Sequence, residues 1–375
     1  MSTTRGRLRV ALVFGGRSGE HEVSVVSARS VLAALDPERF EAVPMAIDRS
    51  GRWADPATAR RVLEESGDRS DRVEAFTGEA RIDPRLTDGS IDVVLPILHG
   101  PFGEDGTVQG LCEMLGLPYA GCGVAASAVT MDKVLSKRLL VEAGLPTPAF
   151  VAIGASDWEL SRVAFANACR QLPQPWFVKP ARLGSSVGIT KVREEAGLVD
   201  AVATAFAYDD LVIVEEGIPA REIEVAVLGG DPPLASVPGE VVPGHEFYDY
   251  ADKYLDDACR LLAPAPLEPA TAEKARALSI AAFRALGCEG MARVDFLLDR
   301  RDGRLLVSEL NAIPGFTSIS MYPRLLGLTG VPYPELMTRL VDLALARHRR
   351  RSALAESNLW PLEVRAGGGR PPGGV

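Results

Sequence analysis

The chain has 375 residues, 47% of them hydrophobic and 24% charged, which is the balance of an ordinary globular protein with room for two or three domains. Its net charge of −9 argues against nucleic acid or an anionic membrane surface as the main partner. No apolar run approaches the ~20 residues needed to span a bilayer, and Met1 to Arg9 carries no apolar signal core.

The first apolar run, Leu8 to Phe14, reads as a buried strand that enters Gly15-Gly16-Arg17-Ser18-Gly19-Glu20. A helix to about Leu35 and a strand at Ala42–Ile47 follow. Residues 54–90 are polar and weakly patterned and read as an insertion without an assigned role. Ile91–Leu98 is a further strand, leading to His99-Gly100-Pro101-Phe102-Gly103-Glu104-Asp105-Gly106 and a helix to Leu115. Strands alternating with helices predict a parallel sheet with helices on its faces, and both glycine-rich segments leave carboxyl ends of strands, where such sheets place ligands.

Past Gly121, a helix is predicted over Met131–Ala143, ended by Gly144 and Pro146. Strands are predicted at Trp176–Pro180 and Gly188–Val192 around a small-residue loop, and at Leu211–Glu215. Further strands fall at Glu222–Leu228, Met291–Leu298 and Leu305–Leu310, with a long helix over about Ala270–Leu286. The expected division is an α/β domain over 1–120, a central unit over 121–217, a C-terminal unit over 218–358 and a disordered tail over 359–375. Five scattered cysteines without CxxC spacing suit a reducing cytoplasm, and the four histidines lack the spacing of a zinc site.

Chemistry concentrates in the last two strands. Asp302-Gly303 is a turn, and Asp302 lies midway between Asp295 and Glu309, so folding there brings the two acids opposite each other. Side chains alternate along a strand, which sets Arg293 beside Asp295 and Asn311 beside Glu309. Two carboxylates and an amide suit a hard divalent cation, and the arginine suits an anion next to it. On its own the hairpin reads slightly better as a surface turn with solvated acids. The rest of the chain tips the balance. There is no G-x-G-x-x-G and no G-x-x-x-x-G-K-[ST], so neither a dinucleotide fingerprint nor a P-loop is present. Gly184-Ser185-Ser186-Val187-Gly188 instead offers backbone N–H groups to phosphate oxygens, with Lys179 and Lys133 as point charges. Only six of the 41 basic residues are lysines, so each lysine inside a motif draws notice.

Seven ordered motifs then resemble the D-alanine–D-alanine ligases of the ATP-grasp superfamily from about Leu8 to Leu345. They are GGRSGEHEVS (15–24), LHGPFGEDG (98–106), MDK (131–133), VKPARLGSSVG (178–188), FYDYADKY (247–254), RVDF (293–296) and ELNAIPGFTSIS (309–320). The resemblance implies a three-domain ATP-grasp fold and a two-step reaction. ATP phosphorylates one D-alanine, and the amine of a second attacks the acyl phosphate. By the same resemblance Asp295, Glu309 and Asn311 hold two Mg2+ or Mn2+ ions, and Lys133, Lys179, Ser185 and Ser186 meet ATP. Glu215, Glu216 and Ile218 line its adenine, and Glu222 holds the ribose. Glu20 receives the first D-alanine's ammonium, His99 and Lys253 stand near the reacting groups, and Ser320 and Met321 receive the second D-alanine. Arg293 and the Gly315 N–H form the oxyanion-stabilising pair, while Tyr254 bridges Ser185 and Glu20 and favours an amine acceptor. Segments 182–188 and 244–254 are the expected closing loops. Ala312-Ile313 replace a hydroxyl-bearing pair often seen there. A cytoplasmic homodimer is implied as well. The rival readings are a D-lactate- or D-serine-using relative, or a non-catalytic nucleotide-binding regulator on the same scaffold.

Overall fold

The computed structural model describes residues 6–65, 73, 75–242, 260–317 and 319–358. Its first sheet is parallel, with strand β2 (Phe40–Ile47), β1 (Leu8–Gly15) and β3 (Val93–Ile97) in that order. The apolar run of β1 has no polar alternation because both faces are covered. Val10, Leu12 and Phe14 enter one core, whereas Ala11 and Val13 enter another. Helix α1 (His21–Ala34) and helix α2 (Pro56–Glu65) pack against this sheet.

Helix α2 gives structure to part of 54–90, read from the sequence as an insertion without an assigned role. Ala59, Val62 and Leu63 are buried in the first core, and Trp53 bridges to both Ile47 and Ala80. Its apolar residues are few, and tertiary packing rather than a strong local signal orders the segment.

Helices α3 (Thr107–Met114), α4 (Val124–Met131) and α5 (Lys133–Glu142) follow. The helix expected over Met131–Ala143 is α5, which starts two residues later, while α4 was not foreseen and ends just before Asp132. The ψ of 101° at Asp132 ends α4, and its carboxylate accepts the N–H groups of Val134 and Leu135 as the N-cap of α5.

The second sheet is antiparallel in the order β4 (Phe150–Gly154), β7 (Leu211–Glu216), β5 (Trp176–Pro180), β6 (Thr190–Val192). Helices α6 (Ala155–Cys169) and α7 (Leu198–Phe206) bury Trp158, Phe165 and Val202 against it. Strand β6 starts two residues later than expected because Gly188, at φ +72°, still belongs to the turn.

The third sheet is also antiparallel. Its order is β11 (Arg260–Leu262), β10 (Gly239–Val242), β8 (Ala220–Leu228), β12 (Met291–Asp299), β13 (Leu305–Asn311), with β9 (Leu234–Ala235) paired to β8. Helix α8 (Pro269–Ala285) covers one face. The chain then returns through α9 (Met321–Leu328) and α10 (Tyr333–Asn358) to the first core, where Tyr322, Leu326, Met337 and Val341 pack with Leu12 and Ile97. The two ends of the sequence thus share one hydrophobic core.

Three backbones meet at the seam between these units. Gly229 donates its N–H to Gly290 O at 2.7 Å, and a Cβ on Gly290 would lie 2.9 Å from Gly121 N. Gly290 also has φ +69°. Gly290→Ala should lower unfolding stability by about 1–3 kcal/mol, read by urea titration. An unchanged midpoint would show that the seam yields without cost.

Candidate active site

The site is built first by strand register. Asp295 pairs with Glu309 on one side and with Glu224 on the other, and Arg293 pairs with Asn311. Residues directly opposite in an antiparallel pair share a face, so one row carries three carboxylates across β8, β12 and β13. A register shift follows at Asp295/Phe296. Such a bulge re-aims side chains locally.

Cations from the chain sit against this row. Arg293 donates from Nε to Asp295 Oδ1 and from Nη2 to Oδ2, each at 2.7 Å. Its Nε is also 3.4 Å from Glu224 Oε2. Asn311 Nδ2 donates to Asp295 Oδ2 at 2.9 Å, and Lys133 Nζ is 3.7 Å from Glu309 Oε2. Among the described residues no three His, Cys, Asp or Glu side chains are grouped as a metal site. The donor set here is two carboxylates and an amide oxygen, all hard ligands, in a place that already gathers positive charge. That chemistry fits a divalent cation of the Mg2+ class.

The glycine loop lies next to it. Lys133 Nζ donates to Leu183 O at 2.7 Å, and its backbone N–H donates to Ala181 O at 3.0 Å. Ser185 and Ser186 have φ +54° and +60°, a region that costs non-glycine residues roughly 1–3 kcal/mol each. Ser185 Oγ is enclosed with no hydrogen-bond partner among the described residues.

Behind the loop, Lys179 on β5 pairs with Glu215 on β7 at 2.8 Å, and Lys137 on α5 reaches the other oxygen at 3.2 Å. Lys137 also donates to Thr147 Oγ1 at 3.0 Å. Burial works against the Glu215 carboxylate, but the two ammonium groups outweigh it and hold its pKa at about 2. Burial pushes Lys137 below the usual lysine range despite Glu215. Lys179 is raised, because Glu215 more than offsets its burial. Glu216 accepts from Ala149 N at 2.9 Å, and Ile218 lies half-buried just past the end of β7. Glu222 stands two residues before Glu224 on β8, on the same face, opposite Leu297.

The third wall comes from the first sheet. Gly15, at φ +87°, donates its N–H to Ser24 Oγ at 2.8 Å, and Ser24 Oγ donates to Ile97 O, tying the ends of β1 and β3 together. Glu20 caps this turn. Its Oε2 lies 3.2 Å from the point where a Cβ on Gly100 would stand and 3.4 Å from that of Gly184. Glu20 therefore sits between the two glycine-rich segments.

His99 joins the first sheet to the loop after β13. Its Nδ1 lies 3.1 Å from Ile313 O, an acceptor, so Nδ1 carries the proton. Nε2 then accepts from Ser27 Oγ at 3.1 Å, and Ser27 Oγ accepts the Phe316 N–H at 3.3 Å. Burial lowers the pKa of His99 and keeps the ring neutral, against the pull of Glu20. Gly315 backs onto Ser320, whose Oγ would stand 2.8 Å from a Cβ there. Ser320 Oγ accepts the Thr317 N–H at 3.0 Å, and Ser320 stands at the N-cap of α9 without a side-chain cap bond. The side chain of Met321 turns into the first core, which leaves its backbone at the start of α9 for any ligand.

Lys253 and Tyr254 lie outside the described residues, as does the tail 359–375. Of the other residues singled out in the sequence, Asp295, Glu309, Asn311, Arg293 and Lys133 converge directly. Lys179 and Glu215 lie behind the glycine loop, and Glu20, His99, Gly315 and Ser320 form the opposite wall. Three neighbours escaped the sequence reading. Lys137 was signalled by its i, i+4 spacing from Lys133 on one helix. Glu224 was signalled by its alternation with Glu222. Glu104, within the quoted HGPFGEDG, accepts from Gly100 N at 3.2 Å, and burial with Glu20 nearby pushes its carboxyl up to about 8.

The chain is similar to known proteins along most of its length. Residues 9–122 match the family described as D-ala D-ala ligase N-terminus, a span that includes 54–90, and residues 139–342 match D-ala D-ala ligase C-terminus. A D-alanine–D-alanine ligase of Solibacter usitatus is 47% identical, over 92% of this chain and 98% of that protein. Another, from Heliobacterium modesticaldum, is 46% identical, over 93% and 98%. The solved D-alanine–D-alanine ligase of Coxiella burnetii superposes with a TM-score of 0.79 at 33% identity, covering 96% of this chain and 99% of that one. The VanG D-Ala:D-Ser ligase of Enterococcus faecalis gives 0.75 at 31%, covering 90% and 99%. On its sequence and its fold alike, the chain belongs to the D-alanine–D-alanine ligase family.

Proposed function

We propose that the protein joins two D-alanine molecules into D-alanyl-D-alanine, a peptidoglycan precursor, with conversion of ATP to ADP and phosphate. One observation carries this reading. Lys133 touches Glu309 of the hard-cation donor set and Leu183 of the glycine loop together, so that the metal donors and the phosphate cradle form one site. Family membership implies ATP use and a divalent metal. Asp295, Glu309 and Asn311 would hold two Mg2+ or Mn2+ ions, which when bound neutralise phosphate charge.

In the first step a carboxylate oxygen of D-alanine attacks the γ-phosphorus, and the bond to ADP breaks. Lys133 and Lys179 offer ammonium groups to the phosphates, while the Ser185–Ser186 backbone offers N–H donors. Glu215, Glu216 and Ile218 would line the adenine and Glu222 the ribose. Glu20 takes the ammonium of the first D-alanine, with neutral His99 beside it.

In the second step the amine of the second D-alanine, having lost a proton, attacks the acyl carbon. Arg293 and the Gly315 N–H stabilise the oxyanion, and phosphate leaves. Ser320 and the Met321 backbone would hold the second carboxylate. Lys253 would stand near the transferred phosphoryl group, and Tyr254 would bridge Ser185 and Glu20. The three sheets support dividing the chain near residues 120 and 217, and the family resemblance carries with it a homodimer in the cytoplasm. No helix among the described residues is long and apolar enough to cross a membrane.

The reading is tested by ADP release with Mg2+-ATP and D-alanine, where one dipeptide per ADP is expected. Saturable ATP binding without ADP release on any D-amino acid would sink it. Arg293→Met should lower kcat by about 100- to 1,000-fold, as for other oxyanion donors. A loss below about tenfold would remove Arg293 from the oxyanion role.

A pH effect follows from Glu104. Its folded pKa of about 8 lies above the ordinary carboxyl value of 4.5, so the fold binds the proton more tightly. The stability this provides is present below 4.5 and is lost as pH rises towards 8. Glu104→Gln should therefore lose less melting temperature than the parent between pH 6 and 9. Parallel melting curves would contradict the shift.

A further inference from the structure

The proposed chemistry asks two things of one ion pair. Asp295 must turn to the metal and Arg293 to the oxyanion, yet in the structure Arg293 spends Nε and Nη2 on the two oxygens of Asp295. A metal at Asp295 and an oxyanion at Arg293 each compete with these bonds, so the pair has to loosen. A guanidinium that is largely buried cannot lose its counter-ion without cost, since water does not replace it.

Glu224 stands where a replacement is needed. It occupies the same cross-strand row as Asp295, on the side away from Glu309. Its side chain is only 7% exposed, and its Oε2 is 3.4 Å from Arg293 Nε. We propose that Glu224 is a positioning residue: it keeps hold of Arg293 when Asp295 is released, so that the metal need not compete with the guanidinium for that carboxylate. This rests on the metal-site reading above. Glu224 acts through Arg293 and is not itself counted among the metal ligands.

The arrangement also explains why two acids flank one arginine. With both carboxylates present the guanidinium is over-compensated in the metal-free protein, and release of Asp295 restores a one-to-one pair. Glu309 is served by Lys133 and plays no part in the exchange.

The test is Mn2+ affinity in the presence of a non-hydrolysable ATP analogue, followed by the EPR signal of free Mn2+. Glu224→Gln should weaken Mn2+ binding roughly 10-fold or more, the scale on which outer partners of metal ligands act. Glu224→Asp, which keeps the charge, should recover most of it and guards against a variant that fails to fold. In an Arg293→Met background the effect of Glu224→Gln should shrink several-fold, because the competitor is gone.

Equal losses in both backgrounds would mean a direct ligand or a bare charge effect, and would overturn the proposal. So would a Glu224→Gln protein that melts normally and binds Mn2+ like the parent. Failure of the parent itself to bind Mn2+ would overturn the metal-site reading, and this inference with it.

Discussion

The antiparallel pairing of Met291–Asp299 with Leu305–Asn311 is the constraint on which the site depends. Pairing Asp295 with Glu309 concentrates negative charge in a row only one residue wide, continued by Glu224 on the next strand. Like charges set opposite each other destabilise a sheet, so such a row persists only with cations against it. Arg293 and Lys133 provide them from within the chain. The same tension makes the row a good place for a divalent ion. A cation that replaces the chain's own positive groups relieves the repulsion and frees those groups for substrate.

A second charged network lies behind the glycine loop, and burial makes it different in kind. Glu215 is 3% and Lys137 1% exposed, so neither can exchange its partner for water. Two ammonium groups on one carboxylate leave a net positive charge on this buried cluster. Lys137 is pinned further by Thr147, which itself bonds to Val307 O on the third sheet. Lys179 is thus the more exposed of the two lysines and the one able to turn towards a phosphate while Glu215 keeps a partner.

The three walls hold their spacing because the units are not independent. His99 binds the loop after β13 through Ile313 O, and Ser27 holds Phe316 from the same direction. The last two helices return to complete the core under the first sheet. A change in the packing of α9 would therefore be felt at Gly315 and Ser320, which sit just before it, and also at Glu20 across the site. His99 is thus a strut between the first sheet and the loop after β13.

The sequence by itself determined the strands that carry the site and their faces, though not β4, β9, β10 or β11. Period-two alternation put Arg293 with Asp295 and Asn311 with Glu309, and the turn at Asp302-Gly303 set the two acids opposite each other. These are local consequences of strand geometry and turn chemistry, and the motifs that carried the family resemblance are made of them. Tertiary structure alone decided what depends on distant segments meeting. It ordered Pro56–Glu65, whose weak pattern is rescued by burial of Val62 and Leu63 in a core supplied from elsewhere. It set the start of α5 at Asp132, whose side chain caps that helix, and added α4 before it. It brought Lys137 to Glu215, Glu224 to Arg293 and Glu104 to within influence of Glu20. Charge partnership across strands from different parts of the chain has no signature in any one segment, because it is fixed by register and burial rather than by neighbours in sequence.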